Sequence, residues 1–157
     1  MYGWAGKILK VHLTNGPLSE ESTIPKYEKF LGGVGIGFKV IWDDVRPEAD
    51  AFDPENRLVF APGPLVGTEA PGATRTAVVS KSPQVYEHSV PERSLTTSSV
   101  MGGPFGPELK FAGYDAVVIH GRSAEPVYLW IHDGEVEIRD AANLWGLDAY
   151  ETPRKIR

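Results

Sequence analysis

Cysteine is absent from the sequence. That removes disulfides, a cysteine nucleophile, thiolate zinc sites and cysteine-ligated iron–sulfur clusters from this chain. No apolar run approaches the roughly 20 residues of a membrane span, so no membrane partner is expected. Met1–Lys7 carries no apolar h-region, so no secretory leader is expected. A cytoplasmic location is the expectation, and the lack of cysteine is compatible with it. The net charge of −5 comes without any basic stripe, which argues against a nucleic-acid partner. Neither G-x-x-x-x-G-K-[ST] nor G-x-G-x-x-G is found. The four histidines are scattered, with none four residues from another ligand type on a helix, so no metal site is expected from them. No Ser-His-Asp arrangement can be argued. Asp43-Asp44 and Ser19-Glu20-Glu21 read as solvated faces and caps.

What is present is an ordinary composition, 41% hydrophobic and 24% charged. A chain of 157 residues is expected to form one domain, residues 1–157, with a real core. Its 17 glycines and 13 prolines gather at Gly32–Gly37, Ala61–Gly72 and Gly102–Pro107. Such clusters call for tight turns or close approach to the backbone.

Ile8–Thr14 alternates apolar and polar residues and predicts a strand, ended by Asn15-Gly16-Pro17. A helix is expected over Pro25–Leu31, and a second through Phe38–Trp42 that stops before Arg46-Pro47. Asn56–Ala61 and Thr76–Ser80 read as buried strands. Gln84–Ser99 lacks periodicity and reads as a loop. A short helix is expected over Gly106–Phe111, with Pro107 near its start. Asp115–Gly121 reads as a buried strand. Val127–Ile131 and Glu135–Arg139 flank Asp133-Gly134 as a hairpin, and a closing helix is expected within Leu147–Ile156. Together these give an α+β class with mainly antiparallel sheets.

Three features carry candidate chemistry. Gly33-Val34-Gly35-Ile36-Gly37 follows a helix and has the wrong spacing for a dinucleotide loop, so a closely packed helix–helix corner is favoured. Arg75 stands at the mouth of an apolar strand after Ala70–Thr74. Its fork could bind phosphate in a way lysine does not reproduce, although a surface arginine is the simpler explanation by itself. Met101–Gly106 leads into a helix start, where glycine would let a cofactor reach the backbone; a tight structural turn is the alternative.

Several segments taken in order resemble the N-terminal domain of the aldehyde ferredoxin oxidoreductase family. They are Tyr2–Thr14, Phe30–Gly35, Asp53–Leu58, Ala61–Thr68, Phe105–Ala116, Pro126–Ile131, Val136–Ala141, Leu144–Gly146 and Glu151-Thr152. Phe105–Ala116 is the most specific, and the match covers nearly the whole chain. The resemblance implies a saddle of two β-sheets supporting a tungsten (or molybdenum) bis-pterin cofactor with a bridging Mg²⁺. Cysteines for a [4Fe–4S] cluster, and the active-site acids, would lie in the remainder of the enzyme. On that resemblance Arg75 falls on the arginine that contacts a pterin phosphate, reversing the simpler explanation. Val100, Met101, Gly102 and Gly103 fall on the segment beside the pterin, and the Val100 backbone carbonyl on the Mg²⁺ ligand. No general acid or base falls in this chain.

The activity implied is oxidation of an aldehyde to a carboxylic acid, with electrons leaving through the cluster to ferredoxin or another carrier. The chain alone would be inactive. Family members commonly carry Asn-Ser where Val100-Met101 stand here. Met101-Gly102-Gly103 is closer to the catalytic subunit of tungsten-dependent benzoyl-CoA reductases, and the segment Gln84–Ser99 is longer than the family pattern. A reductase of that kind is therefore the second expectation, and a stand-alone scaffold or binding module the third. A homodimer is compatible with all three.

Overall fold

The computed structural model describes residues 3–16, 18–83 and 95–156. A six-stranded sheet forms the frame, in the order β2-β1-β6-β3-β4-β5. The strands are β1 (Lys7–His12), β2 (Leu18–Ser22), β3 (Leu58–Pro62), β4 (Thr76–Ser82), β5 (Leu95–Met101) and β6 (Ala116–His120). Every neighbouring pair is antiparallel except β1 with β6, which run parallel from Ile8↔Ala116 to His12↔His120. A second sheet is the hairpin β7 (Val127–His132) and β8 (Glu135–Asp140). The helices are α1 (Val34–Asp44), α2 (Phe105–Phe111) and α3 (Glu151–Ile156). This is the expected α+β class with a largely antiparallel main sheet.

The period of two in the central strands splits the core into two layers. Ile8, Val59, Ala61, Ala77, Val79, Ala116 and Val118 face α1, where Ile36, Val40 and Ile41 meet them. Leu9, Val11 and Val117 face the other way, against Leu109 of α2 and the inner residues Leu129, Ile131, Val136 and Ile138 of the hairpin. The hairpin and α2 thus cover the β1–β6 part of the sheet, and α1 lies across β3 and β4 on the opposite face.

Four local expectations are corrected. Residues 25–31 form only a short 3-10 turn, Glu28–Phe30, because Leu31, Gly32 and Gly33 all adopt positive φ and cannot continue a helix. Helix α1 starts at Val34, inside the glycine run and not after it. Gly37 is tolerated there because it is the contact point with the sheet: a Cβ at this position would run into the Val79 side chain. Leu18–Ser22 is a strand, where caps and solvated carboxylates were expected. It lacks β-branched residues, but ladder bonds to β1 and the pairs Lys7–Glu20 and Lys10–Glu21, both 2.7 Å, hold it at the sheet edge. Finally, Leu95–Ser99 belongs to β5, not to a loop; the rest of that expected loop, residues 84–94, lies outside the described residues.

Asp115, immediately before β6, ties these layers together. It is 2% exposed. Its carboxylate accepts hydrogen bonds from Ala5 N (2.8 Å), Gly6 N (2.7 Å) and Thr23 Oγ1 (2.7 Å), and pairs with the Lys110 ammonium of α2. Lys110 also donates to Gly3 O at 2.8 Å, while Asp115 N donates to Lys7 O at 2.7 Å. A charge this desolvated persists only when its lone pairs are filled. Replacing Asp115 by Asn removes the charge yet keeps Lys110 buried. The expected cost is about 3–5 kcal/mol, read from urea denaturation of the chain. A loss under about 1 kcal/mol would place this network among surface pairs of little consequence.

The opposite end of the sheet carries a different electrostatic device. His12 and His120 are register partners, with ring centroids 4.1 Å apart. Burial, then the Arg57 guanidinium and His12, push His120 down from 6.5 to about 4. Between those values the unfolded chain takes up a proton that the folded chain refuses. Stability is therefore complete above the ordinary histidine range and is lost as pH falls toward 4. His120→Gln should flatten this part of the stability–pH profile. An unchanged slope in a denaturation series from pH 7 to pH 4 would assign it to other groups.

Candidate functional site

The last register pair of β4 and β5 is Thr76↔Met101. Arg75 and Gly102 therefore leave the sheet side by side. The Arg75 Nη1 atom lies 4.0 Å from where a Cβ on Gly102 would stand. Arg75 is exposed, and among the described residues no carboxylate lies within ion-pair distance of it. Gly102 and Gly103 are exposed as well. Gly103 has φ +100°, a conformation that favours glycine, and a Cβ there would meet nothing within 4 Å. An uncompensated guanidinium thus stands beside bare backbone that borders open space.

Of the residues singled out in the sequence, Arg75, Met101 and Gly102 come together at this strand end, with Gly103 following. Val100 and Met101 belong to β5 and not to a turn, so the turn proper is Gly102-Gly103. Val100 pairs with Ala77, one step inside the ladder, and the residue is 52% exposed. Alternation along the strand puts the Val100 and Met101 side chains on opposite faces of the sheet.

Two contributors were not legible beforehand. Thr76, beside Arg75, is fully buried, and among the described residues its hydroxyl has no hydrogen-bond partner. Gly106 of α2 packs directly on it: a Cβ at Gly106 would collide with Thr76 Oγ1. This contact seats the start of α2 over the strand end, with Phe105 against Phe60 at 5.7 Å between ring centroids. The other contributor is Lys110. It lies in the stretch of most specific resemblance, yet it is occupied by Asp115 and Gly3 and is not a second cation for a ligand. A polar residue opening an apolar strand was the only advance signal for Thr76.

The donor set suits one side of a phosphate-bearing group. A guanidinium free of protein carboxylates offers its fork, and the glycine pair admits close approach to the backbone. Among the described residues no group of three or more His, Asp or Glu side chains is placed to hold a metal ion.

Comparison with known proteins identifies the family. The family model described as aldehyde ferredoxin oxidoreductase, N-terminal domain, matches residues 8–157. The chain is 44% identical to a tungsten-containing aldehyde ferredoxin oxidoreductase of Pyrococcus abyssi (strain GE5 / Orsay), over 100% of this chain and 25% of the relative. It is 40% identical to an aliphatic sulfonate oxidoreductase, WOR-like subunit, of Pyrococcus furiosus, over 96% of this chain and 23% of the relative. A solved structure, the active site complex BamBC of benzoyl coenzyme A reductase in complex with 1,5-dienoyl-CoA, superimposes with a TM-score of 0.89. It is 46% identical, over 99% of this chain and 23% of that one. The chain thus spans about a quarter of the length of these relatives. It belongs to the aldehyde ferredoxin oxidoreductase family, as a stretch corresponding to the N-terminal domain.

Proposed function

We propose that this chain supplies one side of the cradle for a tungsten (or molybdenum) bis-pterin cofactor, within an enzyme that oxidises aldehydes to carboxylic acids. The observation that carries this is the exposed Arg75 guanidinium, without a carboxylate partner among the described residues, beside the exposed Gly102-Gly103 backbone. Arg75 would neutralise a phosphate of the cofactor. Gly102 and Gly103 allow the cofactor to lie against the main chain, and Met101 bounds it. The Val100 carbonyl would be a backbone ligand of the cofactor's Mg²⁺. When bound, the metal–pterin group supplies the redox chemistry. A [4Fe–4S] cluster held outside this cysteine-free chain would supply the route for electrons to ferredoxin or another carrier. The chain's own share is position and electrostatics, with no proton transfer assigned to it.

A second substrate class has specific support. The 46% identity to the benzoyl coenzyme A reductase complex, together with Met101-Gly102-Gly103, favours a reductase acting on a CoA thioester. Assays with aldehydes and with benzoyl-CoA, on the chain co-produced with the remainder of the enzyme, separate the two.

The cradle itself is tested by cofactor content. In that assembly, grown anaerobically with tungsten, Arg75→Ala should lower retained tungsten and pterin about tenfold or more, since a hydrogen bond to a charged group contributes about 1.5–3 kcal/mol. Folding of the chain alone should change by no more than about 0.5 kcal/mol, as for other exposed substitutions. Arg75→Lys should restore charge but not the fork, and recover retention only in part. Full retention in Arg75→Ala, or a large loss of stability without cofactor, would make Arg75 a structural residue.

A further inference from the structure

The two edges of the main sheet are built differently. At one edge, β2 carries Glu20 and Glu21, each paired with a lysine of β1. Charged edges of this kind resist the addition of another strand. At the other edge, β5 reads Leu95-Thr96-Thr97-Ser98-Ser99-Val100-Met101, seven residues with no charge, no proline and no glycine. It is paired with β4 along its whole length, from Thr76↔Met101 to Ser82↔Leu95. Among the described residues no strand pairs with its other side. Thr97, Ser98, Ser99 and Val100 are exposed.

An apolar shelf flanks this edge. Phe38 and Trp42 of α1, the latter 85% exposed, line a groove of about 510 Å³ together with Leu95 and Thr96. An uncharged edge with an apolar shelf beside it is a template for an added strand.

We infer that β5 is completed by an extended segment from the part of the enzyme outside this chain, which adds as a seventh strand and covers the Phe38–Trp42 shelf with apolar side chains. The relatives supply the length for it, because this chain spans only about a quarter of them. A second copy of β5 fits less well. Its apolar residues stand at the strand ends, so pairing of two copies would set Thr96–Ser99 at the centre of the join. The added strand pairs along Leu95–Ser99 and stops short of Val100–Gly103, which stay open to the cofactor. Completion of the sheet in this way is independent of which cofactor or substrate the cradle serves.

Amide hydrogen exchange on the chain alone, and on the chain co-produced with the remainder of the enzyme, tests this. Exchange across Leu95–Ser99 should slow at least about tenfold in the assembly, an added ladder raising the opening free energy of its amides. The β2 amides serve as the internal reference. Adjacent strand residues direct their N–H groups to opposite sides, so one of Thr97→Pro and Ser98→Pro removes a donor from the free side alone. The variant that keeps the melting temperature of the chain should weaken its association with the remainder. Exchange decides the matter even where both variants fail to fold. Equal β5 exchange in the two samples would overturn the inference. A dimer of the isolated chain that protects β5 would overturn it in favour of a second copy.

Discussion

The desolvated carboxylate of Asp115 is the constraint on which the arrangement of the chain depends. Its partners come from the approach to β1, from Thr23 after β2 and from Lys110 of α2. These segments are remote in sequence and meet only because one buried charge must have its lone pairs filled. The penalty for leaving that charge unmatched exceeds the modest net gain of any single hydrogen bond, so the geometry of this end of the sheet is strongly specified. The cradle stands at the same end, since β4 begins, and β3 and β5 finish, level with the start of β6.

The two ends of the sheet divide their chemistry. Among the described residues Arg75 has no carboxylate partner, while Lys110 is engaged by Asp115 and Gly3. Had Lys110 been free, or Arg75 paired, the cradle would present different charge to a ligand. At the far end His120, ring to ring with His12, is held down to about 4 by burial and by Arg57. Burial without compensation also occurs at Thr76, whose hydroxyl is covered by the close approach of Gly106. Seating α2 over the strand end and leaving that hydroxyl unsatisfied are one and the same contact.

Much of the fold was legible locally. The central strands β1, β3, β4 and β6 announced themselves through apolar alternation or short apolar runs, and Asp133-Gly134 through its turn chemistry. The edge strands did not. β2 is made of leucine, serine and glutamate and depends on lysines of β1, while β5 is largely threonine and serine and depends on β4. Edge residues bury little, so pairing with a neighbour outweighs their weak intrinsic pattern. The glycine run was recognised as a place of close packing, but the position of the helix start within it was not. Arg75 and Gly102 were each visible as candidates; their adjacency required the β4–β5 register.

Composition and pattern by themselves determined the class of the fold, the lack of cysteine ligands and the membership suggested by the ordered motifs. Those properties reside in residue identity and short-range periodicity, which need no knowledge of distant contacts. Tertiary structure decided which cation is free and which is consumed, which polar groups are buried, and which sheet edge is left bare. Each of these is a matter of desolvation and pairing between segments far apart in the chain, and such pairing is established only when the chain has folded.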